Sequence, residues 1–236
     1  MPTAQQPDHI GTGDRLGETM AELAMTLQKQ HRSIDGTLES ITRSAVRMVP
    51  GVHHAGITLV VGRRRLEPRA ATDKLPLRID QLQTELGEGP CLDAIWEQHT
   101  VEVPDMSTEK RWPRFAKAAA ESGVRSMLSF QLYTHQDNLG ALNLYSDVAD
   151  GFDDTSHEVG LLLATHAAIA LIAAQRETQL QSALASRDVI GQAKGIVMER
   201  YGVDAVRAFE LLSRLSQEWN IPVAEIARRV VSGNAP

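Results

Sequence analysis

Apolar residues recur along this chain with two periods, and the change of period divides it. Leu16, Met20, Leu23, Leu27 and Ile34 come at three- or four-residue steps, broken once at Gln30. That spacing puts one apolar stripe on a helix with a polar back, suited to packing on another helix of the same chain or of a partner. Gly36 is expected to interrupt the pattern. Leu38, Ile41, Ala45 and Met48 then open a second helical series that stops at Pro50 and Gly51. Beyond Gly51 the period shortens. Residues 55–61, rich in β-branched side chains, read as a buried strand, and residues 66–71 as its returning partner. Residues 79–86 look helical. Gly87 and Gly89 permit unusual backbone angles, and Pro90 suits the first turn of a helix running through Leu92, Ile95 and Trp96. Residues 100–103 form a strand and 112–121 a short helix closed by Gly123. Residues 126–134 and 139–145 flank a polar turn and read as a hairpin. Strands interleaved with helices give one α+β module over residues 36–150.

The period lengthens again after Asp153. Up to Gly202 only Gly160, Gly191 and Gly195 oppose a helix, which would extend roughly 70 Å at the α-helical rise. Steps of three and four pick out Val159, Leu162, His166, Ile169, Ala173, Arg176, Leu180, Ala183, Arg187 and Ile190. One reading is a coiled-coil seam, which predicts a parallel dimer; the other is a core helix followed by an exposed linker helix. Ile190, Val197 and Tyr201 continue one face until Gly202. Val206, Phe209, Leu212, Leu215 and Trp219 form the next stripe, ended by Asn220 to Pro222. Val223, Ile226, Ala227 and Val230 complete a small three-helix bundle.

Charge narrows the function. The net charge is −6, with −7 on residues 1–174 and +1 on residues 175–236. Such a chain is no strongly basic nucleic-acid binder, so any such contact comes from a local cluster. No unbroken run of about 18 apolar residues and no apolar leader near the start predict a soluble, cytoplasmic protein without a membrane span. The single cysteine, Cys91, cannot form an internal disulfide. Phosphate-loop, Gly-x-Ser-x-Gly and His-Glu-x-x-His motifs are missing, so neither a catalytic residue nor a metal or cofactor is expected.

The C-terminal segment holds the most specific pattern. The run from Ser186 through Gly191-Gln-Ala-Lys-Gly-Ile-Val-Met-Glu-Arg200 resembles the opening helix of ANTAR domains. Phe209-Glu-Leu-Leu-Ser-Arg-Leu-Ser216, Asn220 and Ala224-Glu-Ile-Ala227 continue the likeness. The resemblance implies binding of paired RNA hairpins and control of a transcription terminator. Independently, Lys194 interrupts the apolar stripe between Ile190 and Val197, flanked by Gly191 and Gly195. Each glycine costs up to about 1 kcal/mol of helix propensity and lets another surface come close. The lysine either snorkels at the bundle edge or meets a phosphate or loop; the resemblance favours the second. With it, Arg187, Arg200, Arg214, Ser216, Gln217, Asn220, Arg228 and Arg229 are the candidate RNA contacts, since guanidinium groups fork to phosphates and stack on bases. One departure stands out. Ile221-Pro-Val-Ala follows the asparagine where the family often carries basic residues, and Glu218 and Glu225 add negative charge. Dimerisation would compensate by doubling the contacts.

The preceding module resembles the GAF domains found ahead of ANTAR domains in actinobacterial proteins. Gly87-Glu-Gly-Pro-Cys-Leu92, Arg111-Trp-Pro-Arg-Phe115, Gly123-Val-Arg-Ser-Met-Leu-Ser129 and Leu139-Gly-Ala-Leu-Asn-Leu-Tyr-Ser146 carry the likeness. It implies a central antiparallel sheet with flanking helices and a small-molecule pocket whose ligand the fold does not name. Cys91, Trp96, Met127 and Phe130 are the candidate pocket residues. Cys91 at a helix start also suggests redox sensing, against a small buried hydrophobe. His53, His54 and His99 are read as structural. Phe152-Asp153-Asp154 only partly echoes a cyclic-nucleotide signature. The resulting organisation is a helical segment (1–35), a GAF sensor (36–172), a coiled-coil-like linker (173–186) and an all-α ANTAR bundle (187–236). The reading is a signal-responsive regulator that binds dual-hairpin RNA as a homodimer. The alternatives are a protein-interaction module without RNA and a Cys91 redox sensor.

Overall fold

The computed structural model describes residues 34–62, 65–97, 99–134 and 138–233. The stripe from Leu16 to Leu27 lies outside the described residues. The chain divides into two compact units between Ile172 and Ala173.

The first unit contains α1 (Ile34–Met48), β1 (His54–Val61), β2 (Arg65–Arg69), α2 (Lys74–Leu86), α3 (Pro90–Trp96), β3 (Thr100–Val103), α4 (Pro113–Glu121), β4 (Ser126–Tyr133) and β5 (Asn138–Ser146). It ends in the first part of α5 (Asp154–Tyr201). The strands form one sheet in the order β2-β1-β5-β4-β3, every neighbouring pair antiparallel. Side chains alternate between faces along a strand, so each face builds its own core. Leu128, Phe130 and Leu132 of β4 join Ile57, Leu142 and Leu144 on one face, under Leu38, Ile41 and Ala45 of α1 and Val159, Leu163 and Ala167 of α5. Met127 of β4 and Tyr145 of β5 join Val101 and Val103 on the other, under Ile79 of α2, Ile95 of α3 and Phe115 of α4.

Two expectations are corrected in this unit. Gly36 lies within α1 and does not interrupt it; burying Leu38, Ile41 and Ala45 outweighs a propensity cost of about 1 kcal/mol. Helix α2 starts at Lys74, ahead of Ile79, because Asp73 caps it by accepting Leu75 N–H at 2.8 Å. Pro76 sits in the first turn, where no N–H is required. Helix α5 also packs on the sheet. Its core face is Val159, Leu163, Ala164, Ala167, Ala168 and Leu171, one step round from the anticipated seam. Of the seam residues Val159 is buried, whereas Ile169 (56% exposed), Ala173, Arg176, Leu180 (62%), Ala183 and Arg187 are not. The sheet takes the neighbouring face, and both the coiled-coil reading and the exposed-linker reading put the remaining seam residues at the surface of a single chain. Helix α5 also contains an 18-residue window of mean hydropathy 1.6, enough by length and composition to cross a membrane. A third of that window is buried.

The second unit holds the last turns of α5, then α6 (Ala205–Trp219) and α7 (Val223–Val231). Ala193, Val197, Ala208, Leu212, Ile226 and Ala227 form its core. Tyr201, Val206 and Phe209, expected on the buried stripes, are exposed at 65%, 70% and 44%. Three short helices cannot enclose a full stripe of large residues, and Ala208 takes the interior place beside Phe209. Gly202 ends α5 in the left-handed region at φ 63°, and Asp204 restarts the helix by accepting Arg207 N–H at 2.8 Å. Asp204→Ala is expected to destabilise this unit by about 1 kcal/mol, read as a lowered urea midpoint. An unchanged midpoint would show that the cap is dispensable.

Candidate functional site

The joint between α6 and α7 is built from polar groups that sequence reading assigned to RNA. Asn220 adopts the left-handed conformation, φ 52° and ψ 42°, and its N–H donates to the Gln217 carbonyl at 3.3 Å. Asparagine tolerates that region better than most residues. The Ser216 hydroxyl donates to the Ile221 carbonyl at 2.5 Å, and Ile221 N–H returns to the Ser216 carbonyl at 3.2 Å. Ser216 thus locks the turn. Gln217 and Asn220 keep exposed side chains.

The basic residues fall into two groups. Arg228 pairs with Glu225, and Arg229 lies 3.6 Å from the same carboxylate with its guanidinium 5.7 Å from the Trp219 ring. Both are engaged within the unit. Among the described residues no ion pair reaches Arg187, Lys194, Arg200 or Arg214. Lys194 is half-buried, and a Cβ at Gly191 or Gly195 would meet nothing within 4 Å. The two glycines therefore open the helix surface beside the lysine, as their spacing suggested. Arg200 and Arg214 flank a groove of about 570 Å³ with Arg207 and Tyr201; its apolar wall includes Val197, Leu212 and Leu215.

In the first unit the four anticipated pocket residues are not brought together. Met127 and Phe130 are three positions apart on β4, so they point to opposite faces and sit in different cores. Phe130, Met127 and Cys91 are buried, and only Trp96 reaches the surface, at 47% exposure. Trp96 instead lines a cavity of about 850 Å³ with Arg65, Leu66, Gln83, Thr84, Gly87 and Leu92.

Behind that cavity lies a buried polar network that sequence reading missed. The Thr58 hydroxyl donates to Asp80 Oδ2 at 2.7 Å, and Tyr145 Oη and Asn143 Nδ2 approach Asp80 Oδ1, each at 3.4 Å. Asn143 Nδ2 also lies 3.2 Å from Cys91 Sγ, and Asn143 Oδ1 accepts from the Ser129 hydroxyl at 2.9 Å. Gln83 Oε1 accepts Cys91 N–H at 2.8 Å, which orients the amide and leaves Nε2 buried without a partner among the described residues. Gly89 makes room for it: at φ 137°, a Cβ there would sit 2.4 Å from Gln83 Oε1. Burial pushes the Asp80 carboxyl up to about 6, against the pull of the Thr58 and Tyr145 hydrogen bonds. Burial, then the neighbouring Asp80 charge, pushes the Cys91 thiol up to about 12 and the Tyr145 phenol well above its ordinary value. A thiol so placed stays protonated at neutral pH, opposite to what a redox-sensing cysteine needs. Asp80 and Gln83 carried no sequence signal, because polar residues in a helix read as its solvent face.

The histidines serve local structure. His54 Nδ1 lies 2.6 Å from Asp73 and Nε2 3.4 Å from Asp147. His53 Nδ1 accepts Asp147 N–H at 3.2 Å. His99 bonds Gln131 at 2.7 Å and stacks on Tyr133 at 4.5 Å.

Comparison with known proteins follows the same division. The GAF domain model matches residues 31–172, and the ANTAR domain model matches residues 178–231. No curated protein matches the chain. Among solved structures, the GAF domain of a phosphoenolpyruvate-protein phosphotransferase from Coxiella burnetii is similar at 11% identity and a TM-score of 0.57, over 72% of this chain and 99% of that one. The N-acylhomoserine lactone dependent LuxR family factor CepR2 from Burkholderia cenocepacia aligns at 19% identity and 0.53, over 67% and 95%. Free methionine-R-sulfoxide reductase from Neisseria meningitidis, solved with its substrate, aligns at 16% and 0.52, over 74% and 98%. At such identities the likeness shows the fold alone.

Proposed function

The chain belongs to the GAF domain family and carries an ANTAR domain behind its GAF domain, and from that premise we propose a cytoplasmic regulator that grips paired RNA hairpins and controls transcription termination in response to a signal. The ANTAR domain is an RNA-binding antitermination module and the GAF domain a sensory one. The protein acts by binding, with no catalytic step.

In a unit where Arg207, Arg228 and Arg229 are paired, the observation that carries the RNA reading is the set of cations without an ion-pair partner among the described residues, Arg187, Lys194, Arg200 and Arg214. Phosphates would complete them. Arg228 and Arg229 stand behind these as secondary contacts, available once Glu225 is displaced. Gln217 and Asn220 add hydrogen-bonding groups beside the joint that Ser216 holds. For the sensor, the cavity beside Trp96 supports a small-molecule ligand, because the unpartnered Gln83 amide adjoins it. A parallel homodimer along α5 draws support from Leu161, Ile169, Leu180 and Leu184, all exposed. Two chains would then present two hairpin sites.

The test is a titration of tandem-hairpin RNA against the full chain at several salt concentrations, with particle mass measured in the same buffer. Affinity is expected to fall with salt, and Lys194→Ala to weaken binding and flatten the log–log slope by about 0.7–1. Salt-independent binding, or Lys194→Ala indistinguishable from wild type, would overturn the reading.

A further inference from the structure

We propose that the groove flanked by Arg200, Tyr201 and Arg214 is the seat of one unpaired nucleobase, extruded from an RNA loop and stacked on Tyr201; this rests on the RNA-binding reading above. Tyr201 ends α5 as a residue 65% exposed, although the helical stripe leading to it turns inward at Val197. An aromatic ring left so open adds little to the bundle core, whereas a flat, sequence-tolerant partner can cover it. The groove holds about 570 Å³, ample for a purine, and Leu212 and Leu215 supply an apolar wall suited to a base face.

The rim selects the class of occupant. Three arginines surround the groove and none of its lining residues is acidic. Arg207 is held by Glu210 at 2.8 Å, while Arg200 and Arg214 have no ion-pair partner among the described residues. An apolar floor between two free guanidinium groups matches a base whose flanking phosphates reach the rim. The depression beside Arg228, Arg229 and Ser232 lacks this character, since Glu225 lies in its lining. An uncharged apolar peptide would leave both free arginines unmatched. The single-stranded loop, not the hairpin stem, is therefore what this groove reads, because stem bases are already stacked.

The probe is a tandem-hairpin RNA selected from a pool of randomised loops on the immobilised full chain. Each loop base is then removed in turn, leaving its phosphate, and affinities are measured for wild type, Tyr201→Ala and Tyr201→Phe. One loop position is expected to cost wild type about five- to one-hundred-fold, the range that base–aromatic stacking carries. That position should cost Tyr201→Ala almost nothing further, and Tyr201→Phe should bind like wild type. Costs that multiply independently at every position would overturn the assignment. So would full RNA affinity in Tyr201→Ala, and if Lys194→Ala still weakened binding, the broader RNA reading would survive. A pool yielding no salt-sensitive binder would sink both. If Tyr201→Ala instead dissociated the chain into monomers, with its RNA affinity per dimer unchanged, the groove would belong to a second copy and the assignment would fall.

Discussion

Phe130→Ala is expected to remove about 3–5 kcal/mol from the stability of the sensor unit, the usual cost of deleting a fully buried aromatic ring. The ring is 1% exposed in the core that α1 and α5 make with the sheet. A Cβ on Gly160 of α5 would lie 2.4 Å from its Cε2 and 3.3 Å from Leu144 Cδ1. Helix α5 therefore comes down directly on the ring at a residue without a side chain, and the His157 ring meets it edge-on at 6.4 Å. So close a backbone cannot readily follow the ring inward when it is deleted, so a cavity remains. Unfolding in urea measures the loss. Gly160→Ala tests the same contact from the other side, by overpacking, at about 1–3 kcal/mol. If Phe130→Ala cost under about 1 kcal/mol, the close seat of α5 on the sheet would be wrong. A domain with a total stability of about 5–15 kcal/mol would lose a large share of it.

A second large effect is expected from pH. Asp80 is raised by burial from 3.8 to about 6 in the folded protein. Below pH 3.8 it is protonated whether folded or unfolded, and it costs nothing. As pH rises past 3.8 the unfolded chain ionises it freely, while the folded chain holds the proton until about pH 6 and then must bury the charge. Stability is therefore lost between about pH 4 and 6. At 1.36 kcal/mol per unit the loss approaches about 3 kcal/mol at pH 7. Asp80→Asn keeps an acceptor for the Thr58 hydroxyl and removes the charge. The wild-type unfolding free energy minus that of Asp80→Asn should fall by about this amount from pH 4 to pH 7. Asp73, where burial is the largest single influence but is outweighed by the His54 and Leu75 hydrogen bonds taken together, and Glu109, held down chiefly by its Arg111 hydrogen bond, lie below their ordinary values and shift stability the opposite way at lower pH. They cancel in the difference. Parallel curves for the two proteins would show that Asp80 is not buried as a charge.

Much of this architecture was legible along the chain because local periodicity reports which side of an element faces apolar neighbours. The hairpin of β4 and β5, the glycine-proline entry to α3 and the run into α5 follow from period and from backbone-restricted residues. The flanking glycines of Lys194 were legible too, since an open surface on a helix needs only residues without side chains. Pairing was not legible. Arg228 and Arg214 look alike in sequence, yet one is bound to Glu225 and the other faces a groove. Cys91 and Phe130 look alike as pocket candidates, and the sheet puts them on opposite sides.

The chain's own order of residues determined where strands and helices begin, which families it joins and which cations it can offer, because these depend on neighbours within a few positions. Tertiary structure alone decided that α5 spends one face on the sheet and leaves the anticipated seam bare, that Asp80 is shut in with Thr58, Asn143 and Tyr145, and that Tyr201 opens onto an arginine-rimmed groove. Burial and charge pairing are set by residues far apart in sequence, and no periodicity records which of them meet.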